Sequence, residues 1–123
     1  MRPILLAAIL CLPNVALANT YCRFEIECFE TEACAESGFD VQITLPTGTQ
    51  TITGNLVAET DGGTYPGFVL KAGPSERTMF FDGETLRMMV TLSGTDARAA
   101  VHIATGPGGG LSTVSYIGTC EAQ

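Results

Sequence analysis

The chain has 123 residues, 46% of them hydrophobic, and sets six Lys and Arg against thirteen Asp and Glu for a formal net charge of −7. That balance excludes a nucleic-acid binder or a protein drawn to anionic lipid, since both need Lys and Arg to neutralise phosphate. A partner, if there is one, is cationic, and a basic protein fits best.

Residues 1–18 read as an export signal. Arg2 supplies the positive start, Ile4 to Leu12 the apolar stretch, and Ala16-Leu17-Ala18 the small-x-small cleavage site. Nine apolar residues are too few for a helix across a bilayer of about 30 Å, so no membrane span is expected. Cys11 could carry a lipid, but the bulky Leu10 before it argues against that. The expected mature chain is a single β-domain over residues 19–123, periplasmic or secreted, and loss of Arg2 takes its net charge from −7 to −8.

Residues then alternate with a period of two. Cys22, Phe24, Ile26 and Cys28 alternate with Arg23, Glu25 and Glu27, which predicts a half-buried strand with Glu25 and Glu27 on its outer face. Phe39, Val41, Ile43 and Leu45 predict a second strand, and Gly48 a turn before a third over Gln50 to Glu59. After Asp61-Gly62-Gly63 comes Thr64 to Lys71, where Pro66 suits an edge strand or a strand start. Arg77 to Phe81 and Glu84 to Leu92 flank Asp82-Gly83, the signature of a two-residue type I′ hairpin with Leu86, Met88, Val90 and Leu92 inward. Ser93 to Asp96 turns again. Arg98 to Ala104 follows with Ala99, Val101 and Ile103 inward, then a loose Gly106 to Gly110 connection and a last strand, Leu111 to Cys120. The expectation is all-β: a small antiparallel barrel or sandwich of seven to eight strands, stapled by disulfides.

Four cysteines remain in the mature chain, and four allow three pairings. Cys22 and Cys28 stand about 20 Å apart on a straight strand, at about 3.3 Å per residue, which rules out the pairing that joins them. If the first and last strands lie antiparallel, Cys22 meets Cys120 and Cys28 meets Cys34 across the Thr31 to Ala33 turn. The pairing of Cys22 with Cys34 and Cys28 with Cys120 stays open.

Few residues offer chemistry. His102 is the single histidine, and alternation puts it on the outer face of its strand with no adjacent Ser or Cys for it to activate. The cysteine spacing is not that of a zinc site. Glu25, Glu27, Glu30, Glu32 and Glu36 lack the interleaved Asp, Asn and Gly of a calcium loop. The Gly106 to Gly110 run lacks the Lys-Ser/Thr and following helix of a phosphate cradle. Met79, Met88 and Met89 form no ligand cluster in the sequence. No catalytic residue, metal or cofactor is therefore assigned, and Glu25, Glu27 and His102 are the candidate binding residues. They are also the only players available to the runner-up reading, a small hydrolase using a carboxylate and His102.

The export signal, the four cysteines and the closing Tyr116-Ile117-Gly118-Thr119-Cys120-Glu121 resemble small uncharacterised exported bacterial β-proteins that end in an aromatic-x-Gly-x-Cys strand. Ser93-Gly94 is also similar to part of the inhibitory loop of periplasmic C-type lysozyme inhibitors, which are small disulfide-bonded β-barrels. The basic and aromatic residues of that loop are Thr95, Asp96 and Ala97 here. The second resemblance implies an inhibitor of a basic cell-wall hydrolase; the first implies no activity.

Overall fold

The computed structural model describes residues 19–44, 56–104 and 110–123. The segment expected to be an export signal, the Gly48 turn with the start of its following strand, and most of the Gly106 to Gly110 connection lie outside them. Eight strands follow in order: β1 (Thr20–Phe29), β2 (Ala35–Thr44), β3 (Leu56–Thr60), β4 (Gly63–Ala72), β5 (Glu76–Asp82), β6 (Leu86–Ser93), β7 (Asp96–Ala104) and β8 (Leu111–Ala122). Each pairs antiparallel with the next and β8 pairs with β1, so the sheet is a closed up-and-down barrel. Closure removes the exposed edges that a sandwich would keep.

Period-two alternation builds the interior. Phe24, Val41, Leu56, Phe81, Met88, Val90 and Val101 are wholly or almost wholly buried, while charged residues such as Arg23, Asp40, Glu59 and Arg87 stand on the outer wall or its rim. An eight-stranded barrel is just wide enough for such side chains to fill it. Apolar inside and charged outside is the reverse of a lipid-facing barrel. Among the described residues no helix is long and apolar enough to cross a membrane.

Cys22 bonds Cys120 across the β1–β8 seam, and Cys28 bonds Cys34 across the β1–β2 turn. The alternative pairing left open by the sequence is thereby excluded. Two disulfides of this kind are the mark of an oxidising environment.

Three local expectations are corrected. Pro66 does not mark an edge strand: β4 pairs on both sides, and its missing N–H is tolerated because the β4–β5 register begins only at Gly67. Asp82-Gly83 is not a two-residue type I′ turn. Gly83 has no positive φ, and the connection runs over Gly83, Glu84 and Thr85, with the Gly83 N–H donating to the Leu86 carbonyl at 2.7 Å. The tight turn comes instead at Gly94-Thr95, where Gly94 takes φ 61° at the first central position, the requirement of a type II′ hairpin.

The third correction concerns β1. Phe24 pairs with Gly118 but Ile26 pairs with Ile117, so β1 carries one residue more than β8 at this point, a β-bulge at Glu25. Beyond it the alternation reverses. Ile26, expected inside, is 40% exposed, and Glu27 turns half-buried towards its partner Tyr116.

Candidate functional site

The bulge separates the two candidate carboxylates. Glu25 stays exposed on the outer wall, whereas Glu27 is half-buried opposite Tyr116, whose ring packs on the core and stacks on Phe39 with centroids 4.5 Å apart. Burial, and secondarily the charge of Glu27, raises the Tyr116 pKa above the ordinary tyrosine value. The pair is a feature of the barrel lining, and Glu25 takes no part in it.

His102 is exposed on the outer face of β7, between Arg87 on β6 and Thr113 on β8. Arg87 is engaged with Asp82 at 3.3 Å. Beside His102 lies a cleft of about 50 Å³ lined by Glu84, Leu86, Arg87 and Leu111. Glu27 is on the opposite face of the barrel wall, and Glu25 lies two strands away and roughly 13 Å further along, counting from Ile117 to Thr113 on β8. The three candidate residues are not brought together. A general base needs a partner within about 3 Å, and among the described residues no hydrogen bond links His102 to a carboxylate.

The rest of the acidic run is divided as well. Glu30 takes φ 47°, and its N–H donates to the Thr113 carbonyl at 3.1 Å while its Oε1 accepts from the Thr113 N–H at 3.2 Å. This reciprocal pair ties the β1–β2 turn to β8, a structural task for a residue the sequence groups with four other glutamates.

What the fold does assemble is an acidic groove on the outer wall of β1, β2 and β3. Tyr21, Asp40, Gln42, Glu59, Thr60 and Asp61 line a depression of about 240 Å³. The register makes it: Tyr21 pairs with Gln42, Gln42 with Glu59, and Asp40 stands two residues before Gln42 on the same face. The Asp40 carboxylate, acting on the Tyr21 hydroxyl as a hydrogen-bond acceptor, is the first cause of a raised Tyr21 pKa, followed by desolvation and the Asp40 charge, with a weaker contribution from Asp61 and an opposing one from Arg23. Thr60 Oγ1 accepts from the Gly62 N–H at 3.1 Å and shapes the turn that carries Asp61. Three carboxylates and a phenol on one wall suit a cationic side chain, by charge and by cation–π contact. Among the described residues no three His, Cys, Asp or Glu side chains are arranged to hold a metal ion.

Sequence reasoning missed this groove because its members come from three strands and a turn. The alternation around Val41 and Ile43 puts Asp40 and Gln42 outside, but which residue of β3 lies beside them is a matter of register. No protein-family model matches the chain, and no curated protein or solved structure matches it.

Proposed function

We propose that the chain is an exported, non-enzymatic binding domain of the periplasm or medium, and that its working surface is the groove on β1 to β3, which takes a lysine or arginine side chain of a basic protein. The observation that carries this reading is the convergence of Asp40, Glu59 and Asp61 around Tyr21. The barrel interior is given over to its own core, so recognition falls to the outer wall and the loops. An acidic groove on an acidic protein steers a basic partner by complementary potential. The sharpest form of the partner is a basic wall-degrading enzyme of the lysozyme type, in keeping with the Ser93-Gly94 resemblance. The hydrolase reading draws less support, since among the described residues Glu25, Glu27 and His102 stand apart.

The test is binding of a basic lysozyme to the wild type and to Glu59→Lys/Asp61→Lys at low and moderate salt. The expected result is measurable binding at low salt, weakened at least about tenfold by the double reversal and by added salt. Absence of binding at low salt disposes of the lysozyme partner. Binding indifferent to both changes disposes of the groove.

A further inference from the structure

Across the outer wall, the bulge brings four side chains into one row: Arg98 on β7, Ile117 on β8, Ile26 on β1 and Glu36 on β2, each the register partner of the next. Direct partners in an antiparallel sheet share a face, and neighbouring strands are about 4.8 Å apart, so the row spans roughly 14 Å. Its centre is apolar and uncovered, with Ile26 40% and Ile117 37% exposed. Its ends carry opposite charges. Arg98 is exposed, and its guanidinium donates to the Ala97 carbonyl at 2.9 Å; among the described residues neither Arg98 nor Glu36 has a charged partner, and the single ion pair is Arg87 with Asp82.

This order is self-complementary. A two-fold axis lying along the strands between β8 and β1 carries Ile117 onto the position of Ile26, and Arg98 onto that of Glu36. Two copies related by it set isoleucine against isoleucine at the centre and arginine against glutamate at both ends, the condition for an isologous interface. From this charge complementarity we infer that the β7–β8–β1–β2 wall is the dimer interface of the protein, and that a second copy of the chain is its occupant. The depression of about 350 Å³ beside the row, lined by Met89, Arg98, Ala100, Ser115 and Ile117, receives the partner's Ile26 and Glu36. Long arginine and glutamate side chains can reach across walls that curve away from each other. The shorter Asp96 and Asp40, which the same axis brings opposite each other one row away, stand clear in solvent. Two curved walls meet over a limited area, so the dimer belongs among small interfaces and forms at roughly 10 μM to 1 mM.

Sedimentation velocity of the disulfide-bonded protein over that range, with near-ultraviolet circular dichroism as a fold control, tests the inference. Wild type is expected to dimerise reversibly. Arg98→Glu and Glu36→Arg, each of which sets like charges together at both ends, should weaken association at least tenfold, as should Ile117→Asp. The combined Arg98→Glu/Glu36→Arg variant should recover it, because the swap restores opposite charges across the axis. All these side chains are exposed, so the fold survives the changes. A wild type that stays monomeric throughout overturns the inference and leaves the row to a different partner. A dimer unmoved by the single changes, or a swap that recovers nothing, overturns the interface.

Discussion

Cys22 on β1 and Cys120 on β8 are register partners whose Cα atoms lie 4.0 Å apart, so their bond joins the first and last strands of the barrel directly across its seam. Both residues are buried and belong to the core as well as to the crosslink.

Removing this crosslink should be costly. The disulfide closes a loop with a sequence separation of 98 residues. Constraining the denatured chain over such a loop is worth roughly 4 to 5 kcal/mol in the chain-entropy account. Cys22→Ser/Cys120→Ser should therefore lose about 2 to 5 kcal/mol, part of it from two hydroxyls placed in an apolar interior. Chemical denaturation of the double variant measures this. A loss below about 1 kcal/mol would mean that strand pairing alone holds the ends together.

Gly118 lies at the same seam, paired with Phe24 beside the bulge of β1. A Cβ at this position would run into the carbonyl oxygen of Arg23 and stand 2.6 Å from the Cα of Phe24. Both are backbone atoms of a strand held by the neighbouring disulfide, so they have little room to yield. Gly118→Ala should cost about 1 to 3 kcal/mol by overpacking. At Gly38 a Cβ meets nothing within 4 Å, and Gly38→Ala is the matched control. Equal denaturation midpoints for the two variants would show that the seam has slack.

The inward turn of Glu27 predicts a pH effect. Burial, then the Glu27 charge, keeps the Tyr116 hydroxyl protonated above its ordinary pKa of 10.0. The unfolded chain gives up this proton first as pH rises, so Tyr116 leaves stability unchanged below the ordinary value and lowers it as pH climbs from there through the folded pKa. Ultraviolet titration should show two high-pH tyrosine components, from Tyr21 and Tyr116, of which Tyr116→Phe removes one. In Glu27→Gln that component should move part of the way back, since burial remains. A titration indifferent to Glu27→Gln would place that carboxylate away from Tyr116 and contradict the reversal of alternation at the bulge.

Much of the barrel was written in the local pattern. Alternation in segments such as Leu86 to Leu92 and Phe39 to Ile43 specifies strands with one buried face whatever they pair with, because successive side chains point to opposite sides of a pleat. Seven to eight such strands, turn residues between them and four cysteines limited the fold to a small stapled barrel or sandwich, and strand geometry ruled out a Cys22–Cys28 bond. Closure into a barrel was decided in three dimensions, since it depends on whether β8 reaches β1. The bulge at Glu25 was invisible for the same reason: β1 alternates without a break in the sequence, and only its mismatch against Gly118 and Ile117 shows an extra residue. From that mismatch follow the parting of Glu25 from Glu27 and the exposure of Ile26 beside Ile117. The acidic groove likewise depends on which strands become neighbours. A residue's own neighbours in the chain determine which side of a strand it occupies, whereas its neighbours across the sheet are set by register, a property of the whole closed barrel.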